Sequence, residues 1–314
     1  MPESPDNPSP RAPVAGMLVY LVVAFGLAWA IELGPVRSLG YAPGNQLVML
    51  WLVGVMFTPS VAALAARLVE RRGFTDARLR WGRGRYHLVA WLLPFLLGVV
   101  SYLLTVALGA GQADLSGRAL TEKLPEAQRM AAEAQADALG PWLPVVAVLS
   151  SLTTGVLVTT IAAFGEEFGW RGYLQPRLSR LGKVPAMALV GLIWGLWHAP
   201  IIIQGHNYPG HPVEGVFLMC LFCVVLGLIF GWLFEAAGSV LAPSIAHASL
   251  NSAGATPMAF LRGADPTVGG ITGVVGIGVM AALVVWLWAT GRLEGPRALA
   301  TEPSVPTDTG GDES

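Results

Sequence analysis

The chain has 314 residues, of which 54% are hydrophobic and only 12% are charged, and its mean hydropathy is +0.59. Soluble domains carry about 25% charged residues, so this composition excludes an ordinary soluble protein. The net charge of −1 decides little, because the distribution of charge along the chain matters more than its sum. The two cysteines, Cys220 and Cys223, form no zinc-type spacing and no disulfide framework, and the sequence contains no nucleic-acid-binding signature.

Long apolar runs recur along the chain, and each is long enough to cross a hydrocarbon core of about 30 Å as a helix. In chain order the predicted spans cover about 14–34, 46–69, 87–110, 142–174, 184–203, 213–235, 239–256 and 268–290. The fourth is predicted as one helix that ends at the turn before Pro176, because proline disfavours a helical residue ahead of it. The sequence therefore predicts an all-α, polytopic integral membrane protein with about eight transmembrane helices and a polar intramembrane cavity.

The two ends of the chain differ from the apolar region between them. Residues 1–13 are rich in Pro and Ser and predict a disordered N-terminal tail, 14–290 a transmembrane domain, and 291–314 a disordered C-terminal tail. Ala28-Trp29-Ala30 resembles a signal-peptide cleavage site, but the length of the first run favours an anchor.

The distribution of basic residues predicts the orientation. With a cytoplasmic N-terminus, 14 of the 19 Lys and Arg residues fall on cytoplasmic loops and tails. Since cytoplasmic loops carry the excess of basic residues, both termini are predicted to be cytoplasmic. The long outer loop, 111–141, contains a stretch from Leu120 to Leu139 that predicts a helix lying along the outer face.

Three charged residues, Glu166, Glu167 and Arg171, stand at the end of the fourth apolar run. An ionisable group at membrane depth costs about 2.5–3.5 kcal/mol, so these residues are functional candidates. Glu167 and Arg171 are helical neighbours four residues apart and predict an ion pair. Glu166 points away from them, has no predicted partner within its own helix, and is a candidate general base. The alternative is a solvated helix end at the cytoplasmic surface.

Two later spans contribute histidines. His198 stands between large aromatic residues that include Trp194, and His247 lies four residues before Asn251 on one predicted helix face. At 1.5 Å per residue, Glu166 and His247 lie about 12 Å, and His198 about 21 Å, from the cytoplasmic side. These groups are therefore expected to converge in a cavity that opens towards the cytoplasm.

Three Gly-x-x-x-Gly pairs lie in the same spans: Gly165/Gly169, Gly191/Gly195 and Gly227/Gly231. Small residues at this spacing allow helix backbones to approach closely. The fourth, fifth and sixth spans are therefore expected to pack tightly around the polar residues.

Taken together, Glu-Glu-x-x-x-Arg, aromatic-x-x-x-His and His-x-x-x-Asn occur in this order within about residues 142–256. This pattern resembles the CAAX protease and bacteriocin-processing family (CPBP, also called Abi) of intramembrane glutamic endopeptidases, which are similar to type II CAAX prenyl endopeptidases. Trp194 stands where that family commonly has Phe.

The resemblance implies a role for each matching residue. Glu166 would activate water with help from His198, Glu167 and Arg171 would support the motif helix, and His247 and Asn251 would stabilise the oxyanion. It implies no metal, although a zinc site formed by Glu166, His198 and His247 is an alternative reading of the same residues.

The implied partners are a membrane-associated protein or peptide substrate and the lipid bilayer, with no nucleic acid. The Ala-, Gly- and Arg-rich composition favours a bacterial plasma membrane. Two other functions fit the polar residues: a non-catalytic scaffold or bacteriocin-immunity factor on the same fold, and a transporter. The absence of a convincing internal repeat weighs against a transporter.

Overall fold

The computed structural model describes residues 12–42, 44–122, 124 and 126–294, and they are overwhelmingly helical. The α-helices are α1 (Ala12–Ile31), α2 (Arg37–Leu39), α3 (Gln46–Met56), α4 (Thr58–Glu70), α5 (Arg85–Ala107), α6 (Arg118–Thr121), α7 (Glu126–Leu139), α8 (Leu143–Ser150), α9 (Val156–Gly169), α10 (Gln175–Leu178), α11 (Lys183–Trp197), α12 (Ala199–Ile203), α13 (Pro212–Ala237), α14 (Leu241–Ser249) and α15 (Val274–Ala289). Within these residues, four π-helical turns cover Glu32–Val36, Ser151–Gly155, Trp170–Leu174 and Leu250–Gly254, and four 3-10 turns cover Thr75–Ala77, Gly140–Trp142, Ser179–Leu181 and Thr256–Phe260. Strands β1 (Gln112–Ala113) and β2 (Leu261–Arg262) form an antiparallel ribbon in which Gln112 pairs with Arg262. The predicted all-α class is confirmed.

In the described part of the chain, five helical segments are long and apolar enough to cross a membrane: Val14–Leu39, Gln46–Glu70, Arg85–Ala107, Gln128–Leu181 and Pro212–Ala237. Two shorter apolar helices, α11 and α15, accompany them. Large apolar side chains are exposed along these segments, as membrane-facing surfaces require in a polytopic protein. The predicted number of eight spans is not confirmed, because the region predicted as the seventh contains only the nine residues of α14 before a π turn begins.

The fourth predicted span departs from a single regular helix. Two π turns interrupt it, and the prediction that it ends before Pro176 is wrong, since α10 runs through Pro176 to Leu178. A proline ring inside an α-helix clashes with the carbonyl group four residues before it. The π turn at Trp170–Leu174 widens the helix just before Pro176, at the place where this clash would occur. At its other end, the positive φ of 50° at Gly140 separates the helix predicted in the outer loop, α7, from α8.

Glycines permit the close approach of α11 and α13. A Cβ atom on Gly191 would lie 2.4 Å from the carbonyl oxygen of Cys223, and one on Gly227 would lie 2.7 Å from that of Met187. This contact between the fifth and sixth predicted spans agrees with the glycine spacing. The fourth span differs from expectation, because Gly165 and Gly169 pack against the junction of α3 and α4, around Met56–Pro59, and not against α11 or α13.

The predicted tails lie mostly outside the described residues. Residues 1–11 and 295–314 are not described, whereas Ala12 and Pro13 already belong to α1 and residues 291–294 form a turn. The boundaries at 14 and 290 remain predictions.

Candidate active site

The motif helix buries its charged residues. Glu166 and Glu167 lie near the end of α9, and Arg171 lies in the π turn that follows. Their exposed fractions are 2%, 0% and 0%. The alternative of a solvated helix end is therefore wrong for these three side chains.

Glu167 is the centre of a buried charged cluster. Its Oε1 atom accepts hydrogen bonds from Arg171 Nη1 at 2.8 Å and from His247 Nδ1 at 2.9 Å. The predicted Glu167–Arg171 ion pair is thus confirmed. The Arg171 guanidinium also lies between the rings of Trp194 and Phe230, with its carbon 4.9 and 5.3 Å from their centroids. One carboxylate consequently ties the motif helix to α14, while its arginine contacts α11 and α13.

Glu166 is held by two indole groups. Its Oε2 atom accepts hydrogen bonds from Trp194 Nε1 at 2.7 Å and from Trp170 Nε1 at 3.3 Å. The expectation that Glu166 has no partner within its own helix is wrong, because the Trp170 side chain reaches back one turn. Its other oxygen, Oε1, lies 3.9 Å from His247 Nε2, which is too long for a direct hydrogen bond. Glu166 is therefore oriented through one oxygen and faces a histidine with the other.

His198 is oriented by its own helix. It follows the last residue of α11, and its Nδ1 atom lies 2.8 Å from the carbonyl oxygen of Trp194. Because a carbonyl only accepts, Nδ1 carries the proton, and Nε2 is the acceptor of the neutral ring. The Trp194 ring contacts both histidines, with centroid distances of 5.7 Å to His198 and 5.2 Å to His247. Trp194 thus lies between the two imidazoles and Glu166.

Asn251 differs from the other site residues described above in its exposure. Its side chain is exposed, whereas only 3% of His247 is exposed. The π turn that begins at Leu250 changes the helical register immediately before Asn251. Within the described part of the chain, no hydrogen bond joins the Asn251 side chain to another site residue. Its oxyanion role stays a prediction.

A second buried ionic cluster lies beside the π turn that carries Arg171. Arg67, Glu70 and Arg177 are all less than one-tenth exposed. Arg67 pairs with Asp76 at 2.6 Å, and Arg177 binds both Glu70 and Asp76. Burial acts to raise the pKa of Asp76, but hydrogen bonds from Arg67 and Arg177 outweigh it and lower that pKa below its ordinary value. In the sequence, Arg67 and Arg177 are only two of the 14 basic residues predicted to lie on cytoplasmic loops and tails, and nothing there indicates this cluster.

The residues that could hold a metal ion are the His, Cys, Asp and Glu side chains of the described part of the chain. Among them, no three His, Cys, Asp or Glu side chains are grouped closely enough to hold a metal ion. In the cluster, the Nδ1 atom of His247 already binds Glu167.

The segment that carries the site is similar to known proteins. Residues 148–253 match the family of Rce1-like type II CAAX prenyl endopeptidases, and this segment contains all seven predicted site residues. A stretch of 49 residues is 45% identical to CAAX prenyl protease 2 of Methanococcus maripaludis. It covers 15% of this chain and 18% of that relative. The resemblance predicted from the sequence is therefore confirmed as a similarity: the segment that carries the site is similar to the Rce1-like type II CAAX prenyl endopeptidases, and the chain matches only a small part of the curated relative's length.

Proposed function

We propose that this protein is an intramembrane endopeptidase that hydrolyses a peptide bond of a membrane-associated protein or peptide with water activated by Glu166. One observation carries the proposal. Two indole N–H groups hold Glu166 Oε2, while Oε1 accepts no direct hydrogen bond from the described residues and faces His247 Nε2 at 3.9 Å. A water molecule that contacts both atoms would be placed between a base and a second polar group.

In the proposed reaction, Glu166 Oε1 takes a proton from that water while the water oxygen attacks the peptide carbonyl carbon. His198 assists through Nε2, which is an acceptor because Nδ1 donates to the Trp194 carbonyl. The new C–O bond forms, the C–N bond breaks, and Glu166 returns the proton to the leaving amine. No covalent acyl-enzyme and no metal take part in this scheme.

His247 is proposed to stabilise the oxyanion. Its Nδ1 atom donates to Glu167, so Nε2 can also donate only when the ring is an imidazolium. Glu166, Glu167 and Arg171 together carry a net charge of −1, which this cation would neutralise. Losing such a donor typically costs about 2.7–4 kcal/mol in barrier height. Asn251 is the proposed second donor.

The proposed substrates are peptides that reach the site from the bilayer. A prenylated peptide with a C-terminal CAAX sequence belongs in the first substrate set, because the relative from Methanococcus maripaludis is named as a CAAX prenyl protease. Unmodified membrane-associated peptides belong beside it, since a bacterial membrane is the predicted location.

The proposal is tested with purified full-length protein in lipid nanodiscs and both substrate sets, with and without a strong chelator. Cleavage that survives chelation and is lost in the His198→Ala/His247→Ala double variant supports it. Cleavage that stops on chelation and returns with zinc would move these residues into a metal site. A folded wild-type protein that cleaves neither substrate set would contradict the peptidase proposal and favour the non-catalytic scaffold.

A further inference from the structure

The carbonyl group of Gly172 lies within the helix that follows the motif, one residue after Arg171. In a regular α-helix it would accept a hydrogen bond from the N–H of residue 176, whereas in the π turn that contains it the pairing runs five residues ahead, to Arg177. Residue 176 is proline and has no N–H group. The α-helical donor for this buried carbonyl is therefore missing, and a hydrogen bond from outside the helix stabilises it.

Arg67 supplies that donor from a different helix. Its Nη2 atom lies 2.7 Å from the Gly172 oxygen, and its side chain is only 2% exposed. Its Nη1 atom donates to Asp76 at 2.6 Å and to the carbonyl of Gly73. A single guanidinium therefore connects the end of α4, the loop after it and the π turn of the motif helix.

The neighbouring contacts hold Arg67 in this orientation. Its guanidinium carbon lies 5.5 Å from the ring centroid of Tyr173, and the Tyr173 hydroxyl donates to Glu70 Oε1 at 2.7 Å. Arg177, which follows Pro176, binds both Glu70 and Asp76. The two carboxylates, the two guanidinium groups and Tyr173 thus form one connected network on one side of the π turn.

We propose that Arg67 is a positioning residue for the active site, acting through its hydrogen bond to the Gly172 carbonyl. The π turn that it holds carries Trp170, which donates to Glu166, and Arg171, which pairs with Glu167. Without this bond the turn is free to relax, and both glutamates lose part of their orientation. The effect on catalysis rests on the proposed function, whereas the effect on the π turn does not.

The proline offers a specific rescue. Replacing Pro176 with Ala restores an N–H group four residues after Gly172, which can satisfy the same carbonyl from within the helix. A purely electrostatic or general packing role of Arg67 would not respond to this change. The matched control is Arg72→Gln. Arg72 is exposed in the loop after α4, and its substitution removes the same charge as Arg67→Gln.

The experiment compares wild type, Arg67→Gln, Arg67→Gln/Pro176→Ala, Pro176→Ala and Arg72→Gln in nanodiscs. Hydrogen–deuterium exchange at residues 169–175 and peptidase kinetics are measured on each. Arg67→Gln is expected to raise exchange there about tenfold and to lower kcat about tenfold with little change in KM, as for one lost hydrogen bond of about 1.4 kcal/mol. The double variant is expected to recover most of both effects, and the other two to match wild type.

Arg67→Lys serves if Arg67→Gln does not fold, since it keeps the charge but cannot hold both Asp76 and the Gly172 oxygen through one planar group. Unchanged exchange at residues 169–175, or no recovery with Pro176→Ala, would overturn the proposal. A wild-type protein without peptidase activity would contradict the proposed function alone, because the exchange comparison would still decide the role of Arg67.

Discussion

Trp194 contributes more to the site than apolar bulk. Its indole N–H donates to Glu166 at 2.7 Å, and its ring contacts Arg171, His198 and His247. A phenylalanine at this position keeps the ring contacts but removes the donor. The identity of this aromatic residue should therefore affect how firmly Glu166 is oriented.

Trp194→Phe is accordingly expected to lower kcat while leaving the fold intact. A hydrogen bond to a charged group contributes about 1.5–3 kcal/mol, which corresponds to a decrease of about 10- to 100-fold. The measurement is peptidase kinetics in nanodiscs, with the thermal midpoint as the control for folding. A variant with the wild-type kcat would show that Trp170 alone orients Glu166.

His206 predicts a pH dependence of stability that is separate from the active site. It lies in the loop after α12, its Nδ1 atom is 2.8 Å from the Tyr41 hydroxyl, and burial lowers its pKa from 6.5 to about 4. Between these values the unfolded chain binds a proton that the folded protein does not. The free energy of unfolding therefore decreases as the pH falls from 6.5 towards 4.

The test compares thermal midpoints of wild type and His206→Asn at pH 7 and pH 5. Asn can keep a hydrogen bond to Tyr41 but does not titrate. Wild type is expected to lose more stability than His206→Asn over this interval. Equal losses in the two proteins would contradict the prediction.

At the scale of helices, the close contact of α11 and α13 makes Gly191 sensitive to any added atom. A Cβ there would lie 2.4 Å from the Cys223 oxygen, whereas a Cβ on Gly278 of α15 would meet nothing within 4 Å. Gly191→Ala is expected to lower the free energy of unfolding by about 1–3 kcal/mol, because the backbones of α11 and α13 must separate. Thermal midpoints of the two alanine variants provide the measurement, and equal midpoints would rule out the close contact.

The length of the apolar runs predicted most of the helices. The π turns could not be predicted from it, because they do not change the length of an apolar run. Hydropathy reports which residues avoid water, but a single extra residue per turn does not change that pattern. The break at Leu250 and the continuation through Pro176 were therefore missed. Both follow from local hydrogen bonding and not from composition.

The whole molecule determines which polar groups meet. The spacing of charges along one helix was sufficient to predict the Glu167–Arg171 pair. The choice of Glu167 over Glu166 as the partner of His247 depends on the rotation of α9 and α14 about their axes, which no single segment encodes. The same holds for Arg67 and Gly172, which lie 105 residues apart.

The orientation of the molecule remains a prediction at this scale. The excess of basic residues on one side predicts that both termini are cytoplasmic. A fluorescent protein and alkaline phosphatase, each fused after Ser314, give opposite readouts for the two locations. Fluorescence without phosphatase activity is expected, and the reverse pattern would invert the orientation.

The most direct test of the account is the kcat of Glu166→Gln, measured in nanodiscs with chelator present on a peptide that wild type cleaves. Gln keeps an oxygen that can accept from both indoles but cannot take a proton from water, so kcat is expected to fall by at least about 10²-fold, as for loss of a general base. The matched control, Glu235→Gln, changes a partly exposed carboxylate that pairs with Arg78 and should retain wild-type kcat. A Glu166→Gln protein with undiminished kcat would contradict the assignment of Glu166 as the base.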